Sequence, residues 1–178
     1  MDDGVIALLS ARGAERIIHP GGTLQAHLLR VAERLGSWGA RPALRRAGLA
    51  HAFYGTDGFP TALGDPSHRE ELIALTGPET EALVYLYGSC DRTFTHPRLA
   101  VDGVFRDRFT GRELHPPQSA LRDFAEISVA NELDIAELDP AFHARYGPRL
   151  RALFTAWGRL LSAPARRDVD RILPRASS

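Results

Sequence analysis

Two histidines set the chemical question this chain poses. His27 has Leu24, Leu28 and Val31 at offsets of −3, +1 and +4, which places it on the apolar stripe of a predicted helix. His51 has Leu44, Ala47 and Gly48 at −7, −4 and −3, on the packed face of the next helix. One histidine on a buried face is usually a core residue whose ring nitrogens are satisfied. Two on consecutive helices with a short connection can share a ligand, because imidazole is the commonest metal-binding side chain and a buried polar group needs a partner. His19 lies just outside the first of these helices and offers a third nitrogen. With His27 and His51 it suits a neutral three-histidine site for zinc or iron with open positions.

Other residues could serve the same site. Asn131, the sole asparagine, shares a predicted helical face with Leu121, Phe124 and Ser128, so its amide points inward as a ligand or substrate anchor. Asp57 and Asp91 are sources of negative charge from loops or helix ends, and Asp57 is also a candidate substrate-binding residue. In a metal-free version His27 or His51 is a general base, and Tyr54, Asp91 and Arg92 orient the substrate. Cys90 follows the apolar run Leu83–Tyr87 and reads as a small buried thiol. His68, His96, His115 and His143 sit in polar or proline-containing stretches and read as surface residues.

Elements that would position these groups follow from periodicity and turn signals. A short opening helix covers residues 4–12, and Thr23 is a suitable N-cap for a helix carrying Leu24, Leu28, Val31 and Leu35. Gly36 and Gly39 end it. Pro42 suits the first turn of the next, expected to run to about Tyr54. Residues 55–60 form a loop. Further helices are expected near 66–75, 78–89, 117–133, 140–146, 148–161 and, as a solvated tail, from 163 to the terminal Ser pair. Residues 99–114, with Thr110-Gly111 as the turn, predict a small exposed β-hairpin. The fold class is all-α, in a single domain over 1–178.

The stretches His27-Leu28-Leu29-Arg30-Val31-Ala32 and Arg46-Ala47-Gly48-Leu49-Ala50-His51 resemble the first two motifs of the HD-domain superfamily, and Ala130-Asn131-Glu132-Leu133 resembles its last. His19-Pro20-Gly21-Gly22-Thr23-Leu24 and His51-Ala52-Phe53-Tyr54-Gly55-Thr56 are similar to a small HD-like family in which the His-Asp pair has become His followed by a small residue. The resemblance covers residues 15–135. It implies a helical bundle that holds divalent metal through His and Asp ligands. Ala52 and Asn131 stand where two of those Asp residues would be, which removes two negative charges and argues against a dinuclear phosphohydrolase centre.

Composition narrows the function classes. All 22 basic residues are Arg, balanced by 22 acidic ones. Without Lys, neither a Schiff base nor a P-loop can form. Neutral overall charge gives no pull towards nucleic acid or membrane, and Asp102, Asp107 and Glu113 interrupt the basic run Arg98, Arg106, Arg108, Arg112. One cysteine excludes an intramolecular disulfide and a multi-thiolate zinc site. The apolar stretch Val5–Leu9 is too short for a signal peptide or a membrane span, so a cytoplasmic location is expected. The expected partner is a small-molecule substrate, acted on by a metal-dependent hydrolase or oxygenase, or by a metal-free isomerase, cyclase or lyase of specialised metabolism. A non-enzymatic ligand-binding module is the third alternative. Leu150, Leu153, Phe154, Trp157, Leu160 and Leu161 suit either core or a homodimer face.

Overall fold

Thr23 caps as its position predicts. Its side chain accepts a hydrogen bond from Ala26 N (3.2 Å) and opens α2 (Leu24–Ser37), whose buried face is Leu24, His27, Leu28, Val31 and Leu35. The structure, a computed structural model, describes residues 2–173. Among these the fold is all-α with a small β-hairpin. The remaining helices are α1 (Asp3–Ala11), α3 (Pro42–Ala50), α4 (Glu70–Thr76), α5 (Pro78–Gly88), α6 (Arg92–Thr95), α7 (Gln118–Leu138), α8 (Pro140–Ala156) and α9 (Ala163–Ile172). Two antiparallel ribbons complete it. In one, β1 (Ile18–His19) pairs with β2 (Gly22–Thr23); in the other, β3 (Phe105–Arg106) pairs with β4 (Glu113–Leu114). None of these helices is long and apolar enough to cross a membrane.

The central element is α7, which packs against α2, α3, α5, α8 and α9. A helix enclosed on most sides should be apolar all round, yet α7 buries Asp123, Glu126, Asn131 and Asp134. Each has partners. Asp123 takes a bidentate pair from Arg41 (2.7 Å and 2.7 Å), and Glu126 accepts from Ser162 N (2.6 Å) at the start of α9. The buried apolar residues run from Val5 to Leu173 in one cluster.

Gly48 sets how closely α3 approaches α2. A Cβ there would stand 2.4 Å from Leu35 Cδ1 and 3.5 Å from Val31 Cγ1, and Leu35 is fully buried with little room to yield. Gly48→Ala therefore destabilises the fold by about 1–2 kcal/mol, overpacking outweighing the roughly 1 kcal/mol gained in helix propensity. A lower urea midpoint checks this; an unchanged or higher midpoint contradicts it.

Several boundaries differ from the sequence expectation. The helix from Pro42 ends at Ala50 instead of Tyr54, with His51 as its C-cap, and residues 51–54 form turns. Gly55 (φ +68°) then redirects the chain. The helices expected at 140–146 and 148–161 are one, α8, with Pro148 inside it. Pro148 and Ala144 are exposed, so the carbonyl left without a donor faces solvent. The hairpin is not simply exposed, because Phe105 and Asp107 are buried. Phe154, Trp157, Leu160 and Leu161 are likewise buried within the chain, which removes them as a dimer face. The end of the expected tail helix, residues 174–178, lies outside the described residues.

Candidate functional site

Helices α2, α3 and α7 bring three side chains to one point. Asn131 Oδ1 lies 3.0 Å from His27 Nε2 and 3.1 Å from His51 Nε2. The imidazole rings are 5.3 Å apart, edge to face, and all three residues are buried. Their far sides are already committed. His27 Nδ1 is 2.7 Å from Asp134 Oδ2, and His51 Nδ1 is 2.7 Å from the Gly48 carbonyl. Carbonyls and carboxylates only accept, so the ring hydrogen of each histidine sits on Nδ1. Asn131 Nδ2 donates to Glu132 Oε1 (3.1 Å), which turns its oxygen towards the rings.

The consequence is electrostatic. Unless an imidazole carries a second proton, the Asn131 oxygen faces two imidazole lone pairs, each across about 3 Å. That point calls for a positive charge, either a proton or a bound cation. His51 resists the proton: burial, reinforced by neighbouring His27, pushes its pKa down to about 3. Donors sharing an ion at about 2.0–2.1 Å stand roughly 3.0–3.4 Å apart, so the observed spacing fits a cation. The outer partners fit as well, since metal-ligating imidazoles commonly donate their other N–H to a carboxylate or backbone carbonyl. Burial works against the charge on Asp134, but hydrogen bonds from His27 and Arg30 outweigh it and hold the carboxyl below its ordinary range. Arg30 grips both Asp134 oxygens, at 2.8 Å and 2.9 Å.

Asp134→Asn, which keeps the shape and removes the charge, should weaken divalent-metal binding about 10–100-fold. Calorimetric titration of the folded variant measures it; wild-type affinity would mean that Asp134 does not orient His27 for a metal.

The three-histidine set does not form. Among the described residues no three His, Cys, Asp or Glu side chains converge as metal ligands. His19 instead stacks on His27, with centroids 4.1 Å apart and planes 27° apart, so an ion in the plane of one ring lies outside that of the other. Among the described residues its Nδ1 is buried without a hydrogen-bond partner. Burial, with His27 adding to it, lowers its pKa to about 4, and it is neutral at pH 7.

The site opens into a cavity of about 310 Å³ lined by His19, His27, His51, Ala52, Arg92 and Asn131 among others. Arg92 is thus where the sequence reading wanted it, and it bonds Glu132 (3.1 Å) and the Tyr87 hydroxyl (3.3 Å). Asp57 stands farther out, accepting from Arg92 N (2.8 Å). Two assignments fail. Tyr54 turns into the core and donates to Glu81 (3.0 Å), within a network that also holds Arg69. Asp91 caps α6 by accepting from Phe94 N (3.0 Å). Neither lines the cavity, because each is tied down locally. Cys90 is buried, which pushes its thiol up to about 12 and makes it a poor nucleophile. His68 and His115 are exposed as expected. His96 and His143 are half-buried, His143 bonding the Ile172 carbonyl (2.9 Å).

Sequence reasoning missed Asp134 and Glu132. The available signal was Asp134 three residues beyond Asn131, hence on the same helical face.

Comparison with known proteins adds one finding. Residues 8–92 match the model of a domain of unknown function (DUF6817). That segment carries His19, His27, His51 and Arg92, and it ends before α7. No curated protein and no solved structure matches the chain.

Proposed function

We propose that this protein is a small-molecule enzyme of hydrolase or oxygenase type, with a single divalent cation held by His27 Nε2, His51 Nε2 and Asn131 Oδ1. The observation that supports this most is the meeting of three lone pairs whose owners have spent their other polar atoms elsewhere. The donor set is neutral, so charge must come from behind it. Asp134 backs His27, and Glu132 backs Asn131. The resemblance to HD-domain proteins supports the same reading, with Asn131 in place of the final Asp and Ala52 leaving room where another would stand.

Such an ion supplies Lewis-acid polarisation of a substrate oxygen if it is zinc, or redox chemistry if it is iron. The protein's own residues do the rest. Arg92, fixed by Glu132 and the Tyr87 hydroxyl, presents a guanidinium to a substrate oxygen. His19, neutral at pH 7, adds its ring to the cavity wall. Leu24, Ile135 and Phe59 wall the cavity and limit water. The metal-free alternative needs a histidine base with a pKa near the working pH. His51, at about 3, is poorly suited to that.

Titrating chelator-treated protein with zinc or ferrous iron should show one saturable site per chain, lost in His27→Gln. The absence of a saturable site, or equal binding by His27→Gln, would count against the proposal.

A further inference from the structure

Beyond the histidine cavity lies a second, larger chamber of about 670 Å³. Gly58, Arg92, Glu132, Phe142 and Tyr146 line both spaces, so the two are immediate neighbours. The outer chamber is about twice the volume of the inner one. A molecule filling both has most of its mass away from the reacting centre.

One wall of the outer chamber is made by α8. Phe142, Tyr146, Leu150 and Leu153 follow one another at spacings of four, four and three, which is a single helical stripe. In sequence such a stripe reads as core. In the fold all four stay half-buried, and only Gly147 and Phe154 of α8 are buried. Phe142, Leu150 and Leu153 pack against the core on one side and border the chamber on the other. The Phe142 and Tyr146 rings lie 4.9 Å apart and line both spaces where they adjoin.

The polar side of this chamber is unevenly satisfied. Arg92 is paired with Glu132 (3.1 Å), and the Asp57 carboxylate accepts from Arg92 N (2.8 Å). His96 is also there, pushed down to about 3 by burial and then by Arg92, and so uncharged at neutral pH. Arg149 lines the same chamber, and among the described residues it forms no ion pair. It sits on α8 between Tyr146 and Leu150 of the stripe, about two turns from Phe142.

We infer that the substrate is an elongated amphipathic anion. Its reacting polar end lies in the histidine cavity, an alkyl or aryl body lies along Tyr146, Leu150 and Leu153, and a carboxylate or similar anionic group rests against Arg149. The inference builds on the proposed site by naming the class of molecule that reaches it. The apolar wall supplies affinity through buried area, and the guanidinium supplies orientation.

The probes are straight-chain carboxylates from butanoate to decanoate, with decanol as the uncharged control, titrated calorimetrically into the full chain. Affinity should rise roughly threefold to fourfold for each methylene buried, and decanoate should bind at least tenfold more tightly than decanol. Arg149→Gln, an exposed position where folding is not at stake, should abolish the preference for decanoate over decanol. Leu153→Asp should lower decanoate affinity at least tenfold, with circular dichroism confirming that the variant is folded. No dependence on chain length, or equal binding of decanoate and decanol by the wild type, would overturn the inference. A carboxylate preference that survives in Arg149→Gln would overturn it too. All titrations use metal-free protein. Failure of the cation site, read separately with zinc or iron, therefore leaves these results interpretable, and the reverse also holds.

Discussion

His51→Ala should lower zinc or ferrous-iron affinity by at least about a hundredfold, beyond what the loss of an outer partner costs. The argument is local. His51 contributes one of three lone pairs at the site, and its Nδ1–H is anchored at 2.7 Å on the Gly48 carbonyl, so the ring cannot turn away without losing that bond. Removing it leaves His27 and Asn131, too few ligands to hold an uncompensated divalent ion in a buried place. Asn131→Asp should act in the opposite sense. A carboxylate at that position adds charge to a neutral donor set, and affinity should rise at least about tenfold. If His51→Ala retained wild-type affinity, the metal would have to bind elsewhere.

The second large effect is acid lability of the metal-free protein. His51 and His96 have pKa values lowered from 6.5 to about 3 by burial, with neighbouring charge adding to it. Below 6.5 the unfolded chain takes up protons at these positions and the folded chain does not. Stability therefore falls as pH drops from about 6.5 towards 3, with a limiting slope of about 1.4 kcal/mol per pH unit for each fully shifted histidine. Two such groups can remove several kcal/mol by about pH 4.5, a large share of an ordinary domain's net stability. Asp134 pulls in the same direction at lower pH. Its lowered pKa contributes stability above the usual carboxyl range, and that is lost as pH falls through the folded value. Urea unfolding at pH 7.5, 6.0 and 5.0 reads the slope, and His51→Ala should flatten it. A midpoint constant from pH 7.5 to 5.0 would contradict this account of the buried histidines.

Local signals carried much of the fold. Thr23, the Leu24–Leu35 spacing and Pro42 announce α2 and α3, and those two helices deliver both histidines. What could not be read was direction beyond a helix end. His51 caps α3, and the next residues turn, so Tyr54 faces Glu81 even though it is only three residues away. Asp91 adjoins Arg92 in sequence, yet one caps a helix while the other lines the cavity. A carboxylate's first obligation is often to the nearest unpaired N–H, and spacing does not reveal which one that is. Pro148 does not end α8 for a related reason: a proline is tolerated inside a helix where the orphaned carbonyl meets water.

The site was legible in its imidazoles and its amide. Asn131 is the lone asparagine, on an apolar face, and its oxygen meets both rings. Asp134 is hidden in the sequence because a carboxylate on a long helix usually belongs to the solvated side. Only the packing of α7 against α2 shows that it faces His27. His19 was expected as a third ligand, but a residue outside a helix has no periodicity from which to read its direction, and its ring stacks on His27 instead.

The most direct measurement is the metal content of native protein, purified without chelator and analysed elementally, with anomalous scattering to locate any ion. Close to one equivalent of zinc or iron per chain, positioned between His27, His51 and Asn131, is the predicted result. Protein that is active on a substrate while carrying a small fraction of an equivalent, or an ion found away from those three side chains, would contradict it.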